Sequence, residues 1–171
     1  MVKIVFIGYM GSGKTSVAKI VAEKLQIKLL ELDQIIEENE KASITNIFES
    51  KGEVYFRKKE HLLFKSFMES SESFVMSTGG GTPCYADNHL LLKGENIVSV
   101  YLKASIDELI KRLKEETAQR PLLRQYKDGE LKEFVAKHLF DRSHFYHQAH
   151  KIIMTDSKTP EDIADEVLRL V

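Results

Sequence analysis

The chain has 171 residues, 43% of them hydrophobic, enough to bury one core and too few to need a second domain. Its 25 basic and 26 acidic residues leave a formal net charge of -1, which excludes a global basic field that would gather nucleic acid and makes any anion recognition local. No apolar run approaches the length that crosses a bilayer, and the single Cys84 can form no intrachain disulfide; both point to a cytoplasmic protein with no nucleic-acid or membrane partner.

Met1-Val2-Lys3 leads straight into the first strand with no secretion-type leader, and Val2 to Ile7 is nearly continuous in apolar character, as in a parallel strand buried on both faces. Val17, Ala18, Val21, Ala22 and Leu25 then recur at helical spacing. Lys28 to Asp33 reads as a second strand ending on acids. Ile35, Ile36, Ile44, Ile47 and Phe48 suggest short helices, with Ser43 as a cap and Gly52 as a stop. A longer helix is expected from Glu53 to about Ser70, a third strand over Phe74 to Ser77, and a fourth over Ile97 to Leu102. Ser105-Ile106-Asp107-Glu108 has the pattern of a capping box opening the next helix. The polar stretch Thr117 to Gly129, with its Pro and Gly, reads as an exposed excursion of the kind that serves as a lid. A helical pattern from about Glu130 to Ala149, a fifth strand over Lys151 to Met154 and a final helix announced by Thr159-Pro160-Glu161-Asp162 complete the chain. Alternating strands and helices imply an α/β sandwich around a mostly parallel sheet, so ligands are expected at the carboxyl ends of the strands.

Three groups follow strand ends. The first is Gly8-Tyr9-Met10-Gly11-Ser12-Gly13-Lys14-Thr15, a complete phosphate-binding loop between a strand and a helix. Its glycines let successive amides, including those of Gly11, Ser12 and Gly13, converge on phosphate oxygens; Lys14 supplies a cation and Thr15 a hydroxyl for Mg2+. The chain is therefore expected to bind a nucleoside triphosphate. The second group is Glu31 and Asp33, which share a face if the strand is regular. They either divide the holding of a metal's waters and a substrate hydroxyl or are solvated acids at a strand end. Ser77 stands where many phosphate-loop enzymes have a metal-binding Asp, so metal support leans on Thr15 and Glu31. The third is Gly79-Gly80-Gly81, read either as a tight turn or as a close approach of backbone amides to a ligand. Arg57 and Arg142 on helices and Arg120 in the lid are candidate anion ligands that spacing alone does not rank. His144, His147 and His150 lack the acid or Cys that would complete a metal site and read as exposed helix residues.

GYMGSGKT, LLELDQIIE, SITNIFESKGEVYFRKKE, STGGG, RPLL and DRSHFY occur in the order, and at roughly the separations, of the shikimate kinases, which the chain resembles over nearly its whole length. The resemblance implies a three-layer α/β/α sandwich of the P-loop NTPase fold with a five-stranded parallel sheet. It also implies one kinase domain over 1–171, a substrate-binding region at about 33–62 and a lid at about 117–129. The implied reaction moves the γ-phosphoryl group of ATP to the 3-hydroxyl of shikimate, with Mg2+ as cofactor, in a monomeric enzyme of aromatic amino acid biosynthesis. By position, Asp33 resembles the acid that holds the shikimate hydroxyls and serves as base. Arg57, Arg142 and the Gly79, Gly80 and Gly81 amides resemble the carboxylate-binding group, and planar guanidinium groups suit that anion. Arg120 resembles the lid arginine that meets the phosphates, Phe48 and Phe56 an apolar wall against the ring, Glu60 a supporting partner, and Arg112 with Pro160 the adenine site.

Where the family usually has Asp-x-Asp this chain has Glu31-Leu32-Asp33, so the expected contact of Glu31 with Mg2+ runs through water. Arg142-Ser143-His144-Phe145-Tyr146 lacks the family's proline after the arginine, which loosens backbone more than chemistry. Competing readings are another small-molecule kinase, acting on gluconate or a nucleoside monophosphate, and a non-catalytic nucleotide-binding switch.

Overall fold

The computed structural model describes residues 1–116 and 126–171. Five strands, β1 (Lys3–Ile7), β2 (Lys28–Glu31), β3 (Phe74–Ser77), β4 (Ile97–Lys103) and β5 (Lys151–Met154), form one all-parallel sheet in the order β2-β3-β1-β4-β5. The helices are α1 (Lys14–Leu25), α2 (Leu32–Glu40), α3 (Ile44–Lys51), α4 (Glu53–Glu69), α5 (Asn88–Leu91), α6 (Ile106–Glu115), α7 (Asp128–Tyr146) and α8 (Pro160–Leu168). The chain leaves β1 toward β2 on one side and later crosses from β3 to β4 on the other. This switch places the ligand crevice beside the end of β1.

Strand alternation sorts the core into two layers. Ile4 and Phe6 of β1 pack with Val17, Val21, Ile163 and Val167 of α1 and α8. Val5 and Ile7 face a larger cluster that includes Ile36, Phe64, Met68, Leu113, Val135 and Tyr146. All five β1 residues are buried, so the continuous apolar run belongs to a central strand covered on both faces.

Several expectations are corrected in detail. β2 stops at Glu31 and α2 starts at Leu32, so Asp33 sits in a helix's first turn, and the two acids do not share a strand face. Only half of the expected box at Ser105 forms. The Ser105 hydroxyl accepts from the Glu108 amide at 3.2 Å, but the Glu108 carboxylate is drawn one helical turn forward to Arg112 Nε at 2.8 Å. A complete box forms at α8, between Thr159 and Asp162. Helix α7 starts at Asp128, inside the expected excursion, and ends at Tyr146. His147 is therefore its C-cap and His150 lies beyond it, accepting from the Ser99 amide, so only His144 is helical. Residues 117–125, with Arg120 and most of the expected lid, lie outside the described residues.

Candidate active site

The loop after β1 needs its glycines for two separate reasons. Gly11 and Gly13 have φ of 80° and 90°, in the left-handed region. A Cβ at Gly8 would stand 2.7 Å from the Leu102 carbonyl oxygen, inside contact distance. Gly13 is the residue before α1, so the loop's amides open onto a helix N-terminus that favours phosphate. Lys14, nearly buried, folds over the loop and donates to the carbonyl oxygens of Gly8 at 2.8 Å and Tyr9 at 3.0 Å. The Thr15 hydroxyl lies 3.2 Å from that of Ser77 at the end of β3. Register pairs Glu31 with Ser77, so the Glu31 side chain emerges on the same sheet face as this hydroxyl pair.

Two cavities flank the loop. One is lined by Lys14, Thr15, Asp33, Thr78, Gly79 and Gly80, joining the phosphate loop, the α2 acid and the glycine turn in a single wall. The other runs past Gly11, Ser12, Gly13, Arg112, Lys158 and Pro160. Arg112 fixes its far side, donating to the carbonyl oxygens of Gly11 and Thr155, each at 3.3 Å. An elongated ligand can lie across both cavities with its phosphates at their shared loop.

The triple glycine accounts for the arginines and the acid together. None of Gly79, Gly80 and Gly81 has a left-handed φ, so backbone freedom does not explain them. Each instead makes room for a different side chain. A Cβ at Gly79 would be 2.8 Å from Asp33 Oδ1, one at Gly80 3.3 Å from Arg142 Nη1, and one at Gly81 2.6 Å from Arg57 Nη2. The turn thus gathers one carboxylate from α2 and two guanidinium groups from α4 and α7, residues far apart in sequence. Beside the expected approach of backbone amides to a ligand, the missing Cβ atoms allow a close approach of these three side chains.

Each gathered group is held. Arg57 Nη1 donates to Glu60 Oε1 at 2.8 Å, and the other oxygen of buried Glu60 accepts from the Thr82 hydroxyl at 2.8 Å. The Arg57 guanidinium lies 4.1 Å from the centre of the Tyr85 ring and 5.1 Å from that of Phe56, whose ring packs tilted against Phe48 at 4.7 Å. Its buried Nε has no hydrogen-bond partner among the described residues, the Glu53 carboxylate being 3.5 Å away. Arg142 lies over the Tyr9 ring, and the Tyr146 hydroxyl donates to the carbonyl oxygen of Gly80. Desolvation in the cavity wall, and then the Glu60 carboxylate, push the Asp33 carboxyl above its ordinary range against the pull of Lys14 and Arg57. Asp33 nonetheless keeps surface open to solvent.

Tyr85, Tyr9 and Tyr146 were not singled out by the sequence. Their roles as ring supports depend on contacts across the chain, and no local spacing announces them. Cys84 packs half-buried near both arginines, where burial raises its thiol to about 11. Among the described residues no cluster of His, Cys, Asp or Glu could hold a metal alone, and no helix is long and apolar enough to cross a membrane.

Residues 10–171 match the family model for shikimate kinase. The chain is 48% identical over 171 residues to the shikimate kinase of Flavobacterium psychrophilum, covering 100% of this chain and 99% of that one. It superposes on a shikimate kinase structure from Bacteroides thetaiotaomicron with a TM-score of 0.90 at 34% identity, covering 99% of this chain and 97% of the other. Against the shikimate kinase of Acinetobacter baumannii in complex with shikimate, the TM-score is 0.86 at 32% identity, covering 99% and 92%.

Proposed function

This chain belongs to the shikimate kinase family, and on that premise we propose how its residues divide the transfer of the γ-phosphoryl group of ATP to the 3-hydroxyl of shikimate. The observation that carries the division is the glycine turn, which holds Asp33, Arg142 and Arg57 within reach of one another beside the phosphate loop.

Arg57 and Arg142 bind the shikimate carboxylate; both are planar donors, and Glu60, Tyr85 and Tyr9 fix their planes before the ligand arrives. Phe48 and Phe56 form the apolar side of that pocket. With the carboxylate anchored, the hydroxyls extend toward Asp33 in the wall shared with Lys14. The 3-hydroxyl oxygen attacks the γ-phosphorus in line, the bond from that phosphorus to the bridging oxygen breaks, and the electron pair leaves with ADP. Asp33 orients the hydroxyl and accepts its proton, a task that its raised proton affinity suits.

Lys14 turns from the Gly8 and Tyr9 carbonyl oxygens to the β- and γ-phosphates, and the amides of Gly11, Ser12 and Gly13 cradle them. Adenine lies between Arg112 and Pro160. The oxygen donors present fit Mg2+, which keeps several waters and takes few protein ligands: the Thr15 hydroxyl would hold it, and Glu31 would hold one of its waters. A Mg2+ ion held by these residues would supply neutralisation of the phosphate charge. Arg120, by resemblance, meets the transferring group from the lid at about 117–129. The enzyme acts in the cytoplasm as a monomer.

Coupled ADP release with shikimate, gluconate, a nucleoside monophosphate or no acceptor tests the reading. Turnover is expected with shikimate alone; turnover with another acceptor and none with shikimate overturns it.

A further inference from the structure

Tyr9 occupies a position in the phosphate loop where the phosphate chemistry requires no side chain, yet its ring is buried and reaches helix α7. Its hydroxyl lies 3.1 Å from His138 Nδ1, and the two rings meet edge to face at 6.1 Å. One helical turn beyond His138 is Arg142, whose guanidinium lies 5.7 Å from the centre of the same Tyr9 ring. One turn before it is Phe134, packed on His138 at 4.4 Å and stacked on Tyr126 at 4.9 Å. A row of contacts therefore runs from Tyr126, just before α7, through Phe134 and His138 to Arg142, passing the phosphate loop at Tyr9.

The loop end of this contact also touches the nucleotide-binding lysine. The Tyr9 carbonyl oxygen accepts from Lys14 Nζ at 3.0 Å and from the Ser12 amide at 3.2 Å. A nucleotide that draws Nζ to its phosphates changes the hydrogen bonding of Tyr9's own peptide group. The Tyr9 side chain reaches α7, where it meets His138 and Arg142.

We propose that His138 is a positioning residue that couples the two substrate sites, transmitting occupancy of the phosphate loop through Tyr9 to the setting of Arg142. The inference rests on the reading of Arg142 as a carboxylate ligand. Burial lifts the Tyr9 hydroxyl to about 12, so it stays protonated and can donate to His138 Nδ1 in the tautomer that carries its proton on Nε2. Burial and then the charge of Arg142, with a smaller push from Lys137, lower the proton affinity of His138 against the pull of Asp141, keeping the ring neutral at pH 7.

Titration calorimetry measures the shikimate dissociation constant with and without Mg-ADP, and that of Mg-ADP with and without shikimate. Linkage makes the two ratios equal. The wild type should show mutual tightening of about 5-fold or more, within the usual range for coupled sites. His138→Leu and Tyr9→Phe should bring both ratios toward one, and His138→Asn, whose Oδ1 can take the place of Nδ1, should restore them. A role in stability alone would lower melting temperatures without changing the ratios. Coupling retained in either folded variant, or absent from a wild type that turns shikimate over, overturns the proposal. Failure of the wild type to bind shikimate strikes the parent reading instead. If His138→Leu does not fold, Tyr9→Phe, which removes one oxygen, carries the test.

Discussion

Gly79 and Gly81 are two residues apart, yet their missing Cβ atoms accommodate different functions. Neither has a left-handed φ, so alanine at either meets a steric neighbour without backbone strain. Gly79→Ala would press on Asp33 Oδ1 and should mainly lower kcat; Gly81→Ala would press on the Arg57 guanidinium and should mainly raise the KM for shikimate. Steady-state kinetics separate the two, and the same parameter moving in both variants would contradict the division of the turn. Arg57→Ala and Arg142→Ala should each raise the shikimate KM by about 10–100-fold, the scale of one charged hydrogen-bonding contact, with a smaller effect on kcat. Asp33 offers a separate test by pH. Its folded-state pKa is raised, so the folded protein favours the protonated form, and ionisation costs stability as pH rises through that folded value. Asp33→Asn should therefore lose turnover but melt higher than wild type at pH 7, with the gain fading as pH falls below the folded-state pKa toward the ordinary aspartate value. Thermal melts across that window check the sign, and a variant less stable at pH 7 would contradict it.

The elements that carry these residues are tied together away from the chemistry. The Glu40 carboxylate at the end of α2 pairs with Lys51 of α3 at 2.9 Å and Lys59 of α4 at 3.1 Å, and accepts from the Tyr55 hydroxyl at 2.8 Å. Helices α2, α3 and α4 are thus buckled at one point. The hydrogen bonds from Lys51, Tyr55 and Lys59 hold the Glu40 carboxyl down to about 2. A depressed acid contributes stability above its unfolded pKa and loses it as pH falls through the folded one. Glu40→Gln should therefore lower the melting temperature at pH 7, and the deficit should shrink between pH 4.5 and about 2. A pH-independent deficit would mean that the buckle acts through packing rather than charge.

Across the whole molecule, the five strands, the phosphate loop and the helix caps at Ser43 and Thr159 were legible because each is written in neighbouring residues: apolar runs, glycine spacing, a cap before a helical stripe. The sheet order and the partners of the glycine turn were not. Asp33 leaves the strand because β2 ends one residue before α2 begins, and element ends are poorly marked by side-chain pattern. Tyr9 and His138 pair across 129 residues, a contact that only the folded sheet creates. The family resemblance grouped Arg57 and Arg142 with the glycine turn, whereas the room that each glycine leaves for one particular side chain is a property of tertiary structure.

The central claim is that one rim of the sheet holds the phosphate loop and a guanidinium-lined carboxylate pocket, joined by Asp33 and the glycine turn. A crystal structure with shikimate and Mg-ADP tests it most directly. The carboxylate is expected within hydrogen-bond distance of Arg57 and Arg142, and a ring hydroxyl on Asp33 facing the Lys14 side of the cavity. A carboxylate held elsewhere, with Arg57 and Arg142 empty of ligand, would contradict it.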